Sequence, residues 1–360
     1  MHISIVGFFE EDHATNWRFL KGLEERDITY AFCHIPSSMT RASWKETHRF
    51  LKAEKKKTDV IWIGAFSHRL IPFIYVLRFL VWGFVPPPIV YDSIISIYDT
   101  RVFDRGWVGR FSWRAVYYYI LDWFACRVAK RLVVDTNEHA RYFQKTFFVR
   151  PKKLKRLFPG ANRDIFYPRK ITQEERDERF TVSFHGKLIP GMLGTEYIIE
   201  AARILKNEPI LIKIFGKGSL YEEYEEIIKK ENLTNLKLCG YLEYKDVPHE
   251  VSKSDVLLGA FGTTPKALKV IPLKLFEGIA LAKAQIIGDT PAARELFKDN
   301  VHVVYAHLAD GKNLAEKILF MKNNPALRES IAKNGYALYE GVLSDKEVGE
   351  KLNNIFKELL

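Results

Sequence analysis

The sequence predicts an α/β protein of two doubly wound, Rossmann-like domains in tandem, and three observations carry that expectation. Short β-branched runs alternate with longer helical segments along the chain, the pattern of parallel βαβ units. Several of the runs are apolar at every position, as strands buried on both faces require. The rhythm breaks once, at 159–178 (PGANRDIFYPRKITQEERDE), where the chain turns polar and loses its periodicity before the alternation restarts.

Taken in order, the first half reads as strands at 3–6, 28–32, 60–63, 89–91 and 132–134, with helices near 14–25, 43–56, 67–82 and 108–130. The second half reads as strands at 180–184, 210–215, 236–238, 256–258, 284–287 and 301–305. Its helices fall near 194–207, 219–231, 273–282, 291–297 and 311–322. In the tail, Val348, Leu352, Ile355, Phe356 and Leu359 recur at helical spacing and predict a packed helix. The expected organisation is a domain over 1–160, a linker over 161–178, a second domain over 179–340, and a terminal helix over 341–360 able to pack back on the first domain.

Composition narrows the function classes. With 47% hydrophobic and 28% charged residues the chain has an ordinary globular balance, which excludes global disorder. Cys33, Cys126 and Cys239 are odd in number and far apart, so neither a disulfide framework nor a zinc site is expected, and a reducing compartment fits. The start, MHISIVGFFEED, lacks the basic and long apolar regions of a signal peptide. The apolar stretch 70–85, LIPFIYVLRFLVWGFV, falls short of the ~20 residues that span a bilayer and carries Arg78 in its middle. The expected location is therefore cytoplasmic, with peripheral contact at the inner face of the cell membrane as a further possibility.

The formal net charge is +11, and between 101 and 156 there are fourteen Lys and Arg against four Asp and Glu. Such a basic face calls for an anionic partner or serves as a solvated surface. The stretch 110–131, RFSWRAVYYYILDWFACRVAKR, mixes aromatics with Arg and Lys in the manner of a membrane-interface segment, although so many aromatics also suit a core helix. Nucleic acid is not expected as a partner, because no recognised nucleic-acid motif accompanies the charge.

The first strand ends at Gly7 without the G-x-G-x-x-G of a dinucleotide site, which counts against a nicotinamide dehydrogenase. Glycines follow strands in the second half instead: Gly186 in FHGKLIPG, Gly216 and Gly218 in IFGKGS, and Gly240 in LCGYL. Glycine there lets backbone approach a ligand, and the adjacent Lys187 and Lys217 suit a diphosphate. Each turn alone can be no more than a turn.

The segment 266–289, KALKVIPLKLFEGIALAKAQIIGD, places Pro272 where a helix start tolerates proline, with Lys274 and Glu277 three apart on one face near the N-terminus. The helix dipole favours an anion there. Glu277 reads either as a capping charge in the first turn or as a carboxylate for two vicinal hydroxyls.

These motifs, in this order, resemble the retaining GT-B glycosyltransferases of family four. LFPGANRDIFYP (157–168) is similar to the family's interdomain segment. VSFHGKLIPGMLGTEYIIEAARIL resembles the strand, Gly-Lys turn and helix that open the donor domain. IFGKGSLYEEYEEI, NLKLCGYLEYKDVPHEVSKSDVLLGAF and KVIPLKLFEGIALAKAQIIGD follow as the next three units. The resemblance implies a GT-B fold of two Rossmann-like domains facing across a cleft. It also implies transfer of a sugar from a nucleoside-diphosphate sugar, with retention and without a metal or other cofactor.

Carried over by residue, the donor site comprises Gly186, Lys187, Gly216, Lys217, Lys269, Lys274 and Glu277. Glu277 takes the ribose hydroxyls and Lys187 the diphosphate. The family's Glu-x7-Glu pair is Lys269-x7-Glu277 here, so Lys269 stands where the first glutamate would hold the sugar. Lys187, Lys269 and His68 are the catalytic candidates. On the acceptor side, VIWIGAFSHRL supplies His68, and VYDSIISIYDTRVFDRG supplies Asp92, Asp99 and Asp104 on a loop after a strand. The acceptor is expected to be a glycan or a lipid-linked molecule.

Two other functions stay open on the residues alone. A GT-B sugar-nucleotide epimerase would turn over donor with no acceptor present. A non-catalytic membrane- or polymer-binding module would bind a nucleotide sugar without transfer. A phosphorylase is disfavoured by length.

Overall fold

The computed structural model describes residues 1–8, 13–35 and 41–360, the side chain of Arg41 excepted. They form two units, one made of Met1–Pro159 with Leu343–Leu360 and the other of Gly160–Val342.

In the first unit β1 (His2–Gly7), α1 (Ala14–Glu24), β2 (Thr29–His34), α2 (Arg41–Ala53), β3 (Val60–Ile63), α3 (Ile71–Trp82) and β4 (Ile89–Asp92) alternate in chain order. A six-residue π-helical turn, Asp99–Asp104, leads to α4 (Trp113–Val128), β5 (Arg131–Val134), α5 (Asn137–Phe147) and β6 (Leu154–Arg156). The sheet is parallel in the order β2-β1-β3-β4-β5-β6. β3 and β4 are buried at every position, because helices cover both faces of a parallel sheet.

The second unit repeats the plan with β7 (Phe180–His185), α6 (Glu196–Ile204), β8 (Ile210–Phe215), α7 (Tyr221–Glu231), β9 (Leu236–Gly240), α8 (Val247–Ser252) and β10 (Val256–Leu258). It continues with α9 (Leu273–Ala280), β11 (Ala284–Gly288), α10 (Pro291–Arg294), β12 (Val304–Ala306), α11 (Gly311–Asn323) and α12 (Pro325–Val342). This parallel sheet runs β12-β11-β10-β7-β8-β9. The last helix, α13 (Asp345–Lys357), returns to the first unit, where Val348, Leu352, Ile355 and Phe356 join the core formed by Ile3, Phe19, Leu23 and Trp62.

Several elements differ from expectation. The strand at 301–305 is shorter and later, Val304–Ala306, because 301–302 form a turn in which Val301 stays exposed. Helix 291–297 is four residues long, capped by the Thr290 hydroxyl accepting from Ala293 N–H. Asp92 ends a strand, while Asp99 and Asp104 sit in the π-helical turn rather than on an open loop, and all three are buried. Among the described residues no helix is long and apolar enough to cross a membrane.

Candidate functional site

In the second unit the turns after β7, β8 and β9 converge, as the carboxyl ends of adjacent parallel strands must. They line a hollow of about 370 Å³ with Gly186, Lys187, Gly216, Lys217, Tyr241 and Tyr244 around it. Lys187 and Lys217 are exposed there, and the Lys217 ammonium lies 5.7 Å from the centre of the Tyr221 ring.

The glycines answer to packing within the protein. A Cβ on Gly216 would stand 1.8 Å from the Gly186 carbonyl oxygen, at a φ of 151° that side-chain-bearing residues rarely adopt. The amides expected to face a ligand are also engaged by the sheet: Gly186 N–H donates to Phe215 O at 2.9 Å, and Gly216 N–H to Gly240 O at 2.6 Å. Both amides are committed to backbone partners, and the exposed Lys187 and Lys217 side chains carry the positive charge at these turns. Gly216→Ala is expected to cost about 2–3 kcal/mol of stability, as overpacking plus backbone strain; a denaturation midpoint equal to wild type would contradict this.

Glu277 sits beneath the hollow. It occupies the second turn of α9, not the first, so the capping-charge reading does not hold. Its carboxylate is buried and held on both oxygens. His185 Nε2 lies 2.8 Å from Oε2, and the Tyr244 hydroxyl donates to Oε1 at 3.0 Å. Burial, then the neighbouring Glu277 charge, pushes the Tyr244 phenol well above its ordinary range, so it stays a donor.

Lys274, one turn earlier, is buried with its ammonium 3.6 Å above the Phe184 ring centre and, among the described residues, no hydrogen-bond partner. It packs against Gly186, where a Cβ would lie 2.7 Å from Nζ. Desolvation pulls its pKa down to about 7, with Glu277 opposing. Lys269 lies on the turn 265–269 before α9 and is not among the residues that line the hollow. His185, Tyr241 and Tyr244 were missed in the sequence; their signal was position, immediately at or after the ends of β7 and β9.

In the first unit His68 is buried, with Nε2 2.7 Å from Ile95 O and 3.7 Å from Asp122 Oδ1. It lines a cavity of about 310 Å³ together with Phe8, Phe66, Arg69, Arg101 and Trp107. Asp92 lines a different hollow, beside Arg18 and Phe158. Its pKa is raised to about 7 by burial, against a hydrogen bond from Ile94 N–H and with help from Asp135. Asp99 accompanies neither: it is buried in the π-helical turn, its N–H donating to Ser96 Oγ at 3.0 Å. His68, Asp92 and Asp99 are thus not gathered around one cavity.

Comparison with known proteins fixes what this second unit is. Residues 169–338 match the model of the family described as glycosyl transferases group 1. That segment belongs to the family. The group 1 domain so defined contains the whole 370 Å³ hollow, Lys274 and Glu277.

Among curated proteins, the chain is similar to an uncharacterized glycosyltransferase of Methanocaldococcus jannaschii, 27% identical over 179 residues, which is 50% of this chain and 46% of that protein. It is also similar to the alpha-D-kanosaminyltransferase of Streptomyces kanamyceticus, 23% identical over 186 residues, or 51% and 47% of the two chains. The matched region thus spans about half the length of each relative.

Among solved structures, Anabaena HepE in complex with UDP superposes with a TM-score of 0.73 at 13% identity, over 100% of both chains. Sucrose-phosphate synthase of Thermosynechococcus elongatus does so at 0.70 and 12%, over 100% of this chain and 99% of that one. At these identities the likeness is one of fold, and the fold is GT-B, with the group 1 domain as its second Rossmann-like half.

Proposed function

We propose that the group 1 domain binds a nucleoside-diphosphate sugar in its 370 Å³ hollow, and that the protein transfers the sugar to a glycan or lipid-linked acceptor on the first unit. Transfer proceeds with retention at the anomeric carbon and without a metal or other cofactor. The observation that carries this reading is the convergence of two exposed lysines, an aromatic wall and a doubly held buried carboxylate at one set of strand ends.

Each group has a role that its chemistry suits. Lys187 and Lys217 neutralise the diphosphate and stabilise it as a leaving group. Lys274, beneath Gly186, supplies the third positive charge, and Lys269, on the turn before α9, stands where the sugar would be held. Tyr241 offers a flat face to the base. The Glu277 oxygens keep a further lone pair each after accepting from His185 and Tyr244, enough for two vicinal ribose hydroxyls. The 310 Å³ cavity around His68 is the acceptor's place. HepE, of the same fold, was solved with UDP, so a uridine nucleotide is the first donor to try.

Titration calorimetry with UDP, GDP, ADP and their nucleosides tests the reading. Lys187→Ala is expected to weaken the preferred diphosphate about tenfold, as loss of one charge-assisted contact, and to leave the free nucleoside unchanged. Equal losses for both would remove Lys187 from the site, and no binding of any nucleotide would remove the donor function itself.

A further inference from the structure

We infer that the outward faces of α3 and α4, with the segments flanking them, form a docking surface for an anionic lipid bilayer. A surface helix ordinarily turns its polar side to water, and α4 does the reverse. Its buried stripe is Ala115, Tyr118, Leu121, Asp122 and Ala125, while Trp113, Val116, Tyr117, Ile120 and Trp123 face outward at helical spacing. α3 packs beside it, with Tyr75 and Phe124 meeting edge to face at 5.8 Å. It exposes Val76, Phe79 and Leu80 on its own outer side. The chain leaving α3 carries Phe84 and Val85, and the chain entering α4 carries Phe111; both phenylalanines are fully exposed. An exposed apolar tract of this extent marks an interaction surface.

The charge on this surface has one sign. From 70 to 91 the sequence holds no Asp or Glu, and from 105 to 134 it holds only Asp122. Asp122 is buried and consumed by the Ser96 hydroxyl at 2.6 Å and Tyr98 N–H at 3.0 Å. Arginines flank the aromatic stripe at both ends: the Arg114 guanidinium lies 5.5 Å from the Trp113 ring centre, and Arg127 lies 5.0 Å from Trp123. Rings at headgroup depth, aliphatic side chains below them and cations toward lipid phosphates make an interfacial pattern. Nucleic acid fits less well, since Val76, Leu80, Val85, Val116 and Ile120 can neither stack on bases nor pair with phosphates. A second copy of the same face would bring arginines against arginines.

This inference goes beyond the donor reading and does not depend on it, because vesicle binding requires no nucleotide sugar. The test is flotation of the full chain with vesicles of phosphatidylcholine, with and without one third phosphatidylglycerol. Wild type is expected to bind the anionic vesicles at least about tenfold more tightly than the neutral ones, with tryptophan emission shifting to the blue. Phe84→Ser/Phe111→Ser/Trp113→Ser, all on exposed side chains, is expected to lower that binding at least tenfold. Phe320→Ser, exposed on the other unit, leaves it unchanged. The inference is overturned if wild type ignores anionic vesicles at low ionic strength, or if the triple variant binds them as well as wild type does. It is equally overturned if this face instead retains nucleic acid in preference to vesicles, or holds two copies of the chain together.

Discussion

Glu277→Gln is expected to lower kcat/KM for sugar transfer by at least about a hundredfold while the protein still folds. The amide keeps an oxygen for His185 and a group the Tyr244 hydroxyl can bond, so the buried pairings survive in altered form. What disappears is the carboxylate charge that two ligand hydroxyls would share. Hydrogen bonds to a charged group contribute about 1.5–3 kcal/mol each, and a hundredfold loss corresponds to about 2.7 kcal/mol. Glu277→Ala is the harsher companion: it strands the buried His185 imidazole and leaves the Tyr244 hydroxyl without its acceptor, at a stability cost of about 1–3 kcal/mol. Steady-state kinetics on the glutamine variant, with circular dichroism to establish folding, decides the matter. Transfer within threefold of wild type would mean that Glu277 serves the fold alone.

Lys274→Met is expected to move stability and donor binding in opposite directions. The folded-state pKa of about 7 lies below the ordinary value of 10.5. Between those two values the unfolded chain holds a proton that the folded chain has shed, so stability rises with pH across that window. Below pH 7 both states are protonated and the cost of the buried charge is felt in full. Methionine fills similar volume without that charge, so its advantage is greatest at pH 6 and gone by pH 10.5. The interval from 10.5 to about 7, at 1.36 kcal/mol per pH unit, bounds the gain at about 4–5 kcal/mol.

Binding of a diphosphate beside Gly186 would restore the proton. Nucleotide affinity of wild type is therefore expected to fall as pH rises above 7, with proton uptake on binding that the methionine variant lacks. Thermal melts at pH 6 and 10, and calorimetry in two buffers of different ionisation enthalpy, check both halves. A variant less stable than wild type at pH 6 would show that the ammonium supports the fold there.

Much of the fold was readable because its strands are locally marked. The β-branched runs at 60–63, 210–215 and 256–258 coincide with β3, β8 and β10 to the residue. Other elements escaped for identifiable reasons. α5 shows only Phe143 and Phe147 as strong apolar anchors within a polar, basic run, and β6 is three residues at the sheet edge. α12 buries just Ile331, Gly335 and Tyr339 over eighteen residues, too sparse a stripe to announce a helix.

The site was partly readable as well. The glycine turns with their lysines stood out, since they follow strands in sequence. The pairing of His185 with Glu277 spans 92 positions, and only the pairing of β7 with its neighbours brings it about. The state of Lys274 was likewise beyond local reading. Spacing placed it at a helix start, whereas its surroundings, an aromatic ring and a glycine backbone, come from β7.

The return of α13 to the first unit has a consequence for how the molecule is made. A Cβ on Gly349 would stand 2.5 Å from the Gly22 carbonyl oxygen, and the Phe356 ring meets Trp62 at 6.1 Å, so the last helix is a built-in wall of the first unit. The second unit is one uninterrupted stretch, Gly160–Val342, and the first is discontinuous around it. During synthesis residues 1–159 therefore emerge before α13, the helix that completes their core, and the whole of Gly160–Val342 emerges in between. Until α13 arrives, the face of α1 that it covers, around Gly22, has no partner from its own unit.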